Sequence, residues 1–196
     1  MESSLSAPPK HRDAIVNAAA TLFRRHGYAA TGLNEIVEES GAPKGSLYHY
    51  FPDGKDAIGA AAIAVSGARV TKTLQELAAR HVRAGDLVHA YGVLLAGWME
   101  KSKFRDGCPI TTTLLETAPQ SEDIARNGEA AFAQWRAVFV EALKRNGVGK
   151  ARAEQLARFA ISAIEGSLIL ARAEQSARPI IEAVGELRRL FNAAKA

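Results

Sequence analysis

Apolar residues recur along this chain in a helical rhythm, and no stretch alternates as a strand would. Ile15, Ala18, Ala19, Leu22 and Phe23 fall on one helical face; this spacing predicts a helix over about 10–26, terminated by Gly27. Thr31 is expected to N-cap a short second helix with Leu33, Ile36 and Val37 facing inward and Gly41 closing it. After the turn Gly41-Ala42-Pro43 comes a third short helix, with Pro43 tolerated near its first turn and Phe51-Pro52 stopping it. Asp53, with Asp56 three residues on, resembles an N-cap for a long helix over about 54–82. Further periods predict helices at about 86–102, 108–117, 121–146, 150–175 and 179–194, bordered by Gly85, Gly107, Pro119, Gly147 with Gly149, and Pro179. The expected fold is all-α with nine helices.

Composition agrees. Of 196 residues, 47% are hydrophobic, enough for a real core. Residues 1–9 (MESSLSAPP) read as a disordered leader, residues 10–56 as one helical module and 57–196 as a second. The leader has no apolar signal core, and no apolar stretch elsewhere is long enough to span a bilayer. Cys108 is the lone cysteine, which excludes an internal disulfide and a multi-cysteine zinc site and favours a reducing, cytoplasmic location. The histidines, at 11, 26, 49, 81 and 89, lack the pairing of a helical metal site, so no metal or cofactor is expected. No nucleophile, base and orienting acid gather in the sequence, which argues against an enzyme.

Net charge is +4, which suits a polyanionic partner. Its distribution weakens that argument, because residues 1–56 carry six Lys/Arg against seven Asp/Glu. Any electrostatic footprint for such a partner must therefore come from a few cations placed on one face. Two short helices joined at Gly41 and braced by a preceding helix make a helix-turn-helix arrangement. Its second short helix would enter the major groove of double-stranded DNA. Lys44 suits a phosphate or guanine, Gly45 permits close backbone approach, and Ser46, Tyr48 and His49 offer hydrogen-bonding groups. Leu47 and Phe51 turn inward. Thr31 and Lys55 are candidate phosphate clamps, Lys55 because a cation in a helix's first turn opposes the dipole.

Residues 12–58 resemble the DNA-binding domain of the TetR family of repressors. The resemblance rests on Ala18-Ala19-x-x-Leu22-Phe23, Gly27-Tyr28, Thr31, Ile36, Gly41 and Lys44-Gly45-Ser46-Leu47-Tyr48-His49-Tyr50-Phe51. It implies an all-helical homodimer that binds a palindromic operator until a small molecule releases it. Two features depart from the usual pattern. Pro43 stands where a capping Ser or Thr is usual, and one extra residue precedes Lys55. Together with Gly107-Cys108-Pro109-Ile110, they resemble the LmrA/YxaF-like subgroup.

Elsewhere the residues must speak for themselves. Trp98, Met99, Phe104, Phe132, Trp135 and Phe139 read either as core or as the lining of an apolar ligand pocket, with Cys108, Thr111, Thr112 and Glu116 as polar contacts. Cys108 is either a small buried hydrophobe or a thiol sensor. Near the end, Phe159, Ala163, Ile164 and Ser167, then Ile181, Val184 and Leu187, form apolar stripes that suit a dimer interface or packing within one chain. The expected effector is a small apolar or aromatic molecule; regulation by a protein partner or by thiol oxidation is the alternative. The long helix at 54–82 is the expected lever between the modules.

Overall fold

The computed structural model describes residues 10–194, so the expected leader at 1–9 lies outside the described residues. Among these residues there are nine helices and no strand: α1 (Lys10–His26), α2 (Leu33–Ser40), α3 (Lys44–Tyr50), α4 (Lys55–Arg80), α5 (Ala84–Lys101), α6 (Pro109–Thr117), α7 (Glu122–Arg145), α8 (Lys150–Glu174) and α9 (Arg178–Ala193). None is long and apolar enough to cross a membrane.

Helices α1 to α3 close around the stripe read from the sequence. Ile15, Ala19, Leu22 and Phe23 are buried against Ile36, Leu47 and Phe51. Gly41 adopts φ +62° and its N–H donates to the Glu38 carbonyl. This left-handed turn suits glycine, which has no Cβ to clash. It sets the angle at which α3 leaves α2.

Two caps differ from expectation. Gly32, not Thr31, occupies the N-cap position of α2, and Thr31 is buried with its hydroxyl donating to the Gly27 carbonyl at 2.8 Å. Gly54, with φ +75°, takes the N-cap position of α4 that was expected of Asp53. In both cases the backbone enters the helix one residue later than the side-chain types suggest.

Helix α4 is continuous across the expected module boundary at 56/57. Its long contact is with α7, and the two backbones come close at Gly67. A Cβ there would stand 2.6 Å from the Ala131 Cβ, so a larger residue would force the helices apart. Trp135 of α7 donates its indole N–H to the Gly67 carbonyl at 3.1 Å, fixing the ring beside α4. Helices α5 and α9 pack closely, and α8 lies against α7 and α9.

Candidate functional site

The exposed side of α3 carries the groups expected to read DNA. Lys44, Gly45, Tyr48 and His49 are exposed and Ser46 is partly so, while Leu47 and Phe51 are buried beneath them. This division follows from a short helix with one apolar face. Pro43 supplies no side-chain cap; its carbonyl instead accepts the Ser46 N–H at 2.8 Å. The Arg12 guanidinium lies 5.5 Å from the Phe51 ring centre, tying the start of α1 to the end of α3.

The two expected phosphate clamps are placed differently. The Thr31 hydroxyl is turned inward, so it holds the loop after α1 rather than facing outward. Lys55 sits with its ammonium 4.3 Å from the Tyr28 ring centre and donates to the Ala29 carbonyl at 3.4 Å. The ring face and the nearby carboxylates Glu116 and Asp56 account for a cation at this helix start without invoking DNA. Partial burial still pulls the Lys55 pKa down from its ordinary value, with Glu116 and Asp56 opposing that shift. Tyr28 is in turn fixed by donation from its hydroxyl to Asp56; burial, then that carboxylate, pushes its pKa up.

This cluster forms a junction with α6. The Glu116 carboxylate accepts the backbone N–H groups of Tyr28 at 3.1 Å and Ala29 at 2.6 Å. The Thr112 hydroxyl donates to the Cys108 carbonyl at 2.9 Å and lies 3.3 Å from the Phe23 carbonyl. Gly107 donates its N–H to the Arg24 carbonyl at 3.0 Å, and the Asp106 carboxylate pairs with Arg24 at 2.9 Å and Arg25 at 3.7 Å. The end of α1 is thus held by α6 and by the segment before it. Thr112 and Glu116, expected as ligand contacts, serve this junction instead.

Beside the junction lies a cavity of about 1200 Å³. Trp98, Met99, Phe104, Cys108 and Trp135 line it, as the sequence suggested. Phe132 and Phe139 do not. Phe139 is buried against Phe191, ring centres 6.2 Å apart, and Phe132 stacks edge-on behind Trp135 at 5.2 Å. All three lie broadly on one side of α7, but that side serves several neighbours, and Phe139 lies far enough along the helix to meet α9. Phe104 belongs to the α5–α6 connection, where it and Lys103 adopt φ +55° and +53°; such backbone is uncommon for side-chain-bearing residues.

The cavity also contains groups that were not singled out in the sequence. Glu165 of α8 accepts the Thr111 hydroxyl at 2.7 Å and faces Cys108. Desolvation holds its carboxyl above the usual carboxylate range, with the hydrogen bonds from Thr111 and Cys108 opposing the shift. Tyr91, also buried, lines the same region. Its phenol is pushed up by burial, then by Glu165 and Cys108. The Glu165 signal was available: an acid flanked by Ile161, Ile164 and Ile169, with no Lys or Arg within four residues. Cys108 is desolvated too, and burial, then Glu165, pushes its thiol up, away from the reactive thiolate. That counts against sensing by thiol oxidation. Among the described residues, no group of three or more His, Cys, Asp or Glu is placed to hold a metal.

The expected dimer residues divide. Ile164, Ser167, Val184 and Leu187 are buried within the chain, whereas Phe159 and Ile181 are exposed and Ala163 is partly so. On the exposed side of α8, Phe159, Ala163, Gly166 and Leu170 share one face. The stripes were therefore two faces read as one. A helix apolar or small nearly all round does not reveal by its period which side meets which partner.

Comparison with known proteins matches both halves. Residues 15–62 fit the model of bacterial regulatory proteins of the tetR family, and residues 84–186 fit that of the transcriptional regulator LmrA/YxaF-like C-terminal domain. The HTH-type transcriptional regulator YxaF of Bacillus subtilis is 34% identical over 87% of this chain and 89% of its own length. The HTH-type transcriptional regulator LmrA of the same organism is 29% identical over 87% and 90%. Among solved structures, the regulatory protein TetR from Rhodobacter sphaeroides superposes with a TM-score of 0.81 at 19% identity, covering 91% of this chain and 97% of that one.

Proposed function

Because the chain belongs to the TetR family of bacterial transcriptional regulators and carries an LmrA/YxaF-like C-terminal domain, we propose that this DNA-binding regulator is a repressor that holds a palindromic operator as a homodimer and releases it when a small apolar or aromatic molecule fills its cavity. Family membership makes it a regulator rather than an enzyme. It acts in the cytoplasm, where its DNA is.

The observation that carries the ligand reading is the shared wall between cavity and DNA-binding module. Arg24 and Arg25, at the end of α1, line the cavity and pair with Asp106 in the segment that precedes α6. A molecule occupying that space bears directly on the helix that braces α2 and α3. To release DNA it must bind the released form better than the DNA-bound form, since equal affinity shifts nothing. Helix α4 moves with the junction because Tyr28 is tied to Asp56 and Lys55 at its start. A closed-off interior would have favoured a protein partner as the controlling agent; a cavity of about 1200 Å³ favours a small molecule.

The dimer reading is supported by the exposed face of α8, where Phe159, Ala163, Gly166 and Leu170 present apolar and small side chains, and by exposed Ile181 on α9. Space around Gly166 is open, so a partner helix can approach closely. Two-fold pairing would place the two α3 helices about 34–36 Å apart, in successive major grooves. Lys44, Gly45, Ser46, Tyr48 and His49 face the DNA there, with Lys55 at the edge.

The test is a mobility-shift titration on the DNA that flanks the protein's own gene, followed by addition of aromatic compounds. A shifted complex that dissolves with compounds that also quench Trp98 and Trp135 supports the reading. Quenching with unchanged DNA affinity contradicts the ligand-release step.

A further inference from the structure

The lining of the cavity carries an excess of positive charge. Arg24, Arg25, Lys101, Lys103, Arg105 and Arg172 line it near the α1 end and the α5–α6 connection. Against these six cations stands one carboxylate there, Asp106, already shared between Arg24 and Arg25. Among the described residues, Lys101, Lys103, Arg105 and Arg172 have no carboxylate partner. Arg172 reaches from α8 towards the same segment: its Nη1 lies 3.6 Å from where a Cβ on Gly107 would stand. The lining also holds Glu165, which faces Cys108, and the Tyr91 hydroxyl, which donates to no protein acceptor among the described residues. The rings of Trp98, Phe104 and Trp135 line the same cavity.

We propose that the effector is an organic anion with an apolar, ring-bearing body and a single acid group, carboxylate or sulfonate. Its body lies against Trp98, Phe104 and Trp135, and its acid is held by Arg105 and Arg172. This rests on the small-molecule reading above and adds the charge of the ligand. A cation is repelled by the excess of positive charge around the cavity. The acid gains charge-assisted hydrogen bonds from guanidinium groups that have no partner to give up. The same acid competes with Asp106 for Arg24 and Arg25, and so loosens the hold on the end of α1. Charge recognition and release are thereby one event.

The experiment uses the full-length protein and two probes of nearly the same shape, anilinonaphthalene sulfonate and its uncharged parent phenylnaphthylamine, each followed by quenching of Trp98 and Trp135. The sulfonate is expected to bind about tenfold tighter or more, with the margin shrinking at high salt. Replacing both Arg105→Ala and Arg172→Ala should erase the margin while leaving phenylnaphthylamine affinity intact, which also reports a folded cavity. Asp106→Asn, which removes the competing carboxylate, should tighten the sulfonate alone. Equal or tighter binding of the uncharged probe, a margin that survives in the double variant, or no tightening in Asp106→Asn overturns the anion inference and leaves the cavity reading standing. Failure of both probes to quench overturns both.

Discussion

Glu116 accepts two adjacent backbone N–H groups, those of Tyr28 and Ala29, which belong to the other module. Glu116→Ala leaves both amides without that acceptor, at a local cost of about 1–3 kcal/mol. Amide exchange at Tyr28 and Ala29 should then quicken by about tenfold or more, a change measurable by hydrogen exchange without DNA or ligand. The reading face makes a different demand. Lys44 and Tyr48 are exposed, so Lys44→Ala with Tyr48→Ala should abolish operator binding while circular dichroism and sedimentation report unchanged helix content and assembly. Loss of folding would place these residues in the core. Glu165 yields a prediction about pH. Its carboxyl is raised above its ordinary 4.5, so the folded protein binds more protons than the unfolded chain between that value and the folded one. Stability is therefore favoured below 4.5 and declines as pH rises through the folded value. Glu165→Gln should flatten this slope, raising Tm more at about pH 8 than at about pH 4.

At the scale of elements, helix ends set by the backbone were legible and caps inferred from side-chain type were not. Gly27, Gly41 and Pro52 mark ends through local chemistry, and the helices stop beside them. Thr31 and Asp53 are residue types that often cap, yet a glycine follows each and takes the turn. The apolar period located α7, α8 and α9 but not their neighbours, because burial depends on residues far away in sequence. That is why Phe139 belongs with Phe191, and why Ile164 and Phe159 lie on opposite sides of one helix. The two faces respond differently to substitution. Leu187→Ala, at a buried position, should cost about 2–5 kcal/mol in denaturant unfolding. Phe159→Glu with Leu170→Glu should instead give a folded monomer by analytical ultracentrifugation. A protein that remains dimeric with both charges in place would remove α8 from the interface.

Across the whole molecule, two modules share one boundary, where the cavity, α6 and the end of α1 meet. The DNA-binding module was legible because its pattern is packed into a continuous segment, from Gly41 through Phe51, while the inward turn of Thr31 and the seat of Lys55 on Tyr28 were not. The cavity was half legible. Its aromatic lining could be listed from the middle helices, but Tyr91, Glu165 and Arg172 come together only through the packing of α5 and α8. The tie between Glu116 and the loop after α1 joins residues almost ninety positions apart, and no local pattern announces it. The proposed release therefore acts at the boundary, with α4 carried along rather than acting alone. The central claim, that this molecule reads DNA as a pair of α3 helices, is tested most directly by fluorescence anisotropy on labelled DNA flanking its own gene. The account predicts saturable binding of two protomers to one two-fold site, tighter than to unrelated DNA by about a thousandfold or more at physiological salt. Equal affinity for both DNAs would contradict it.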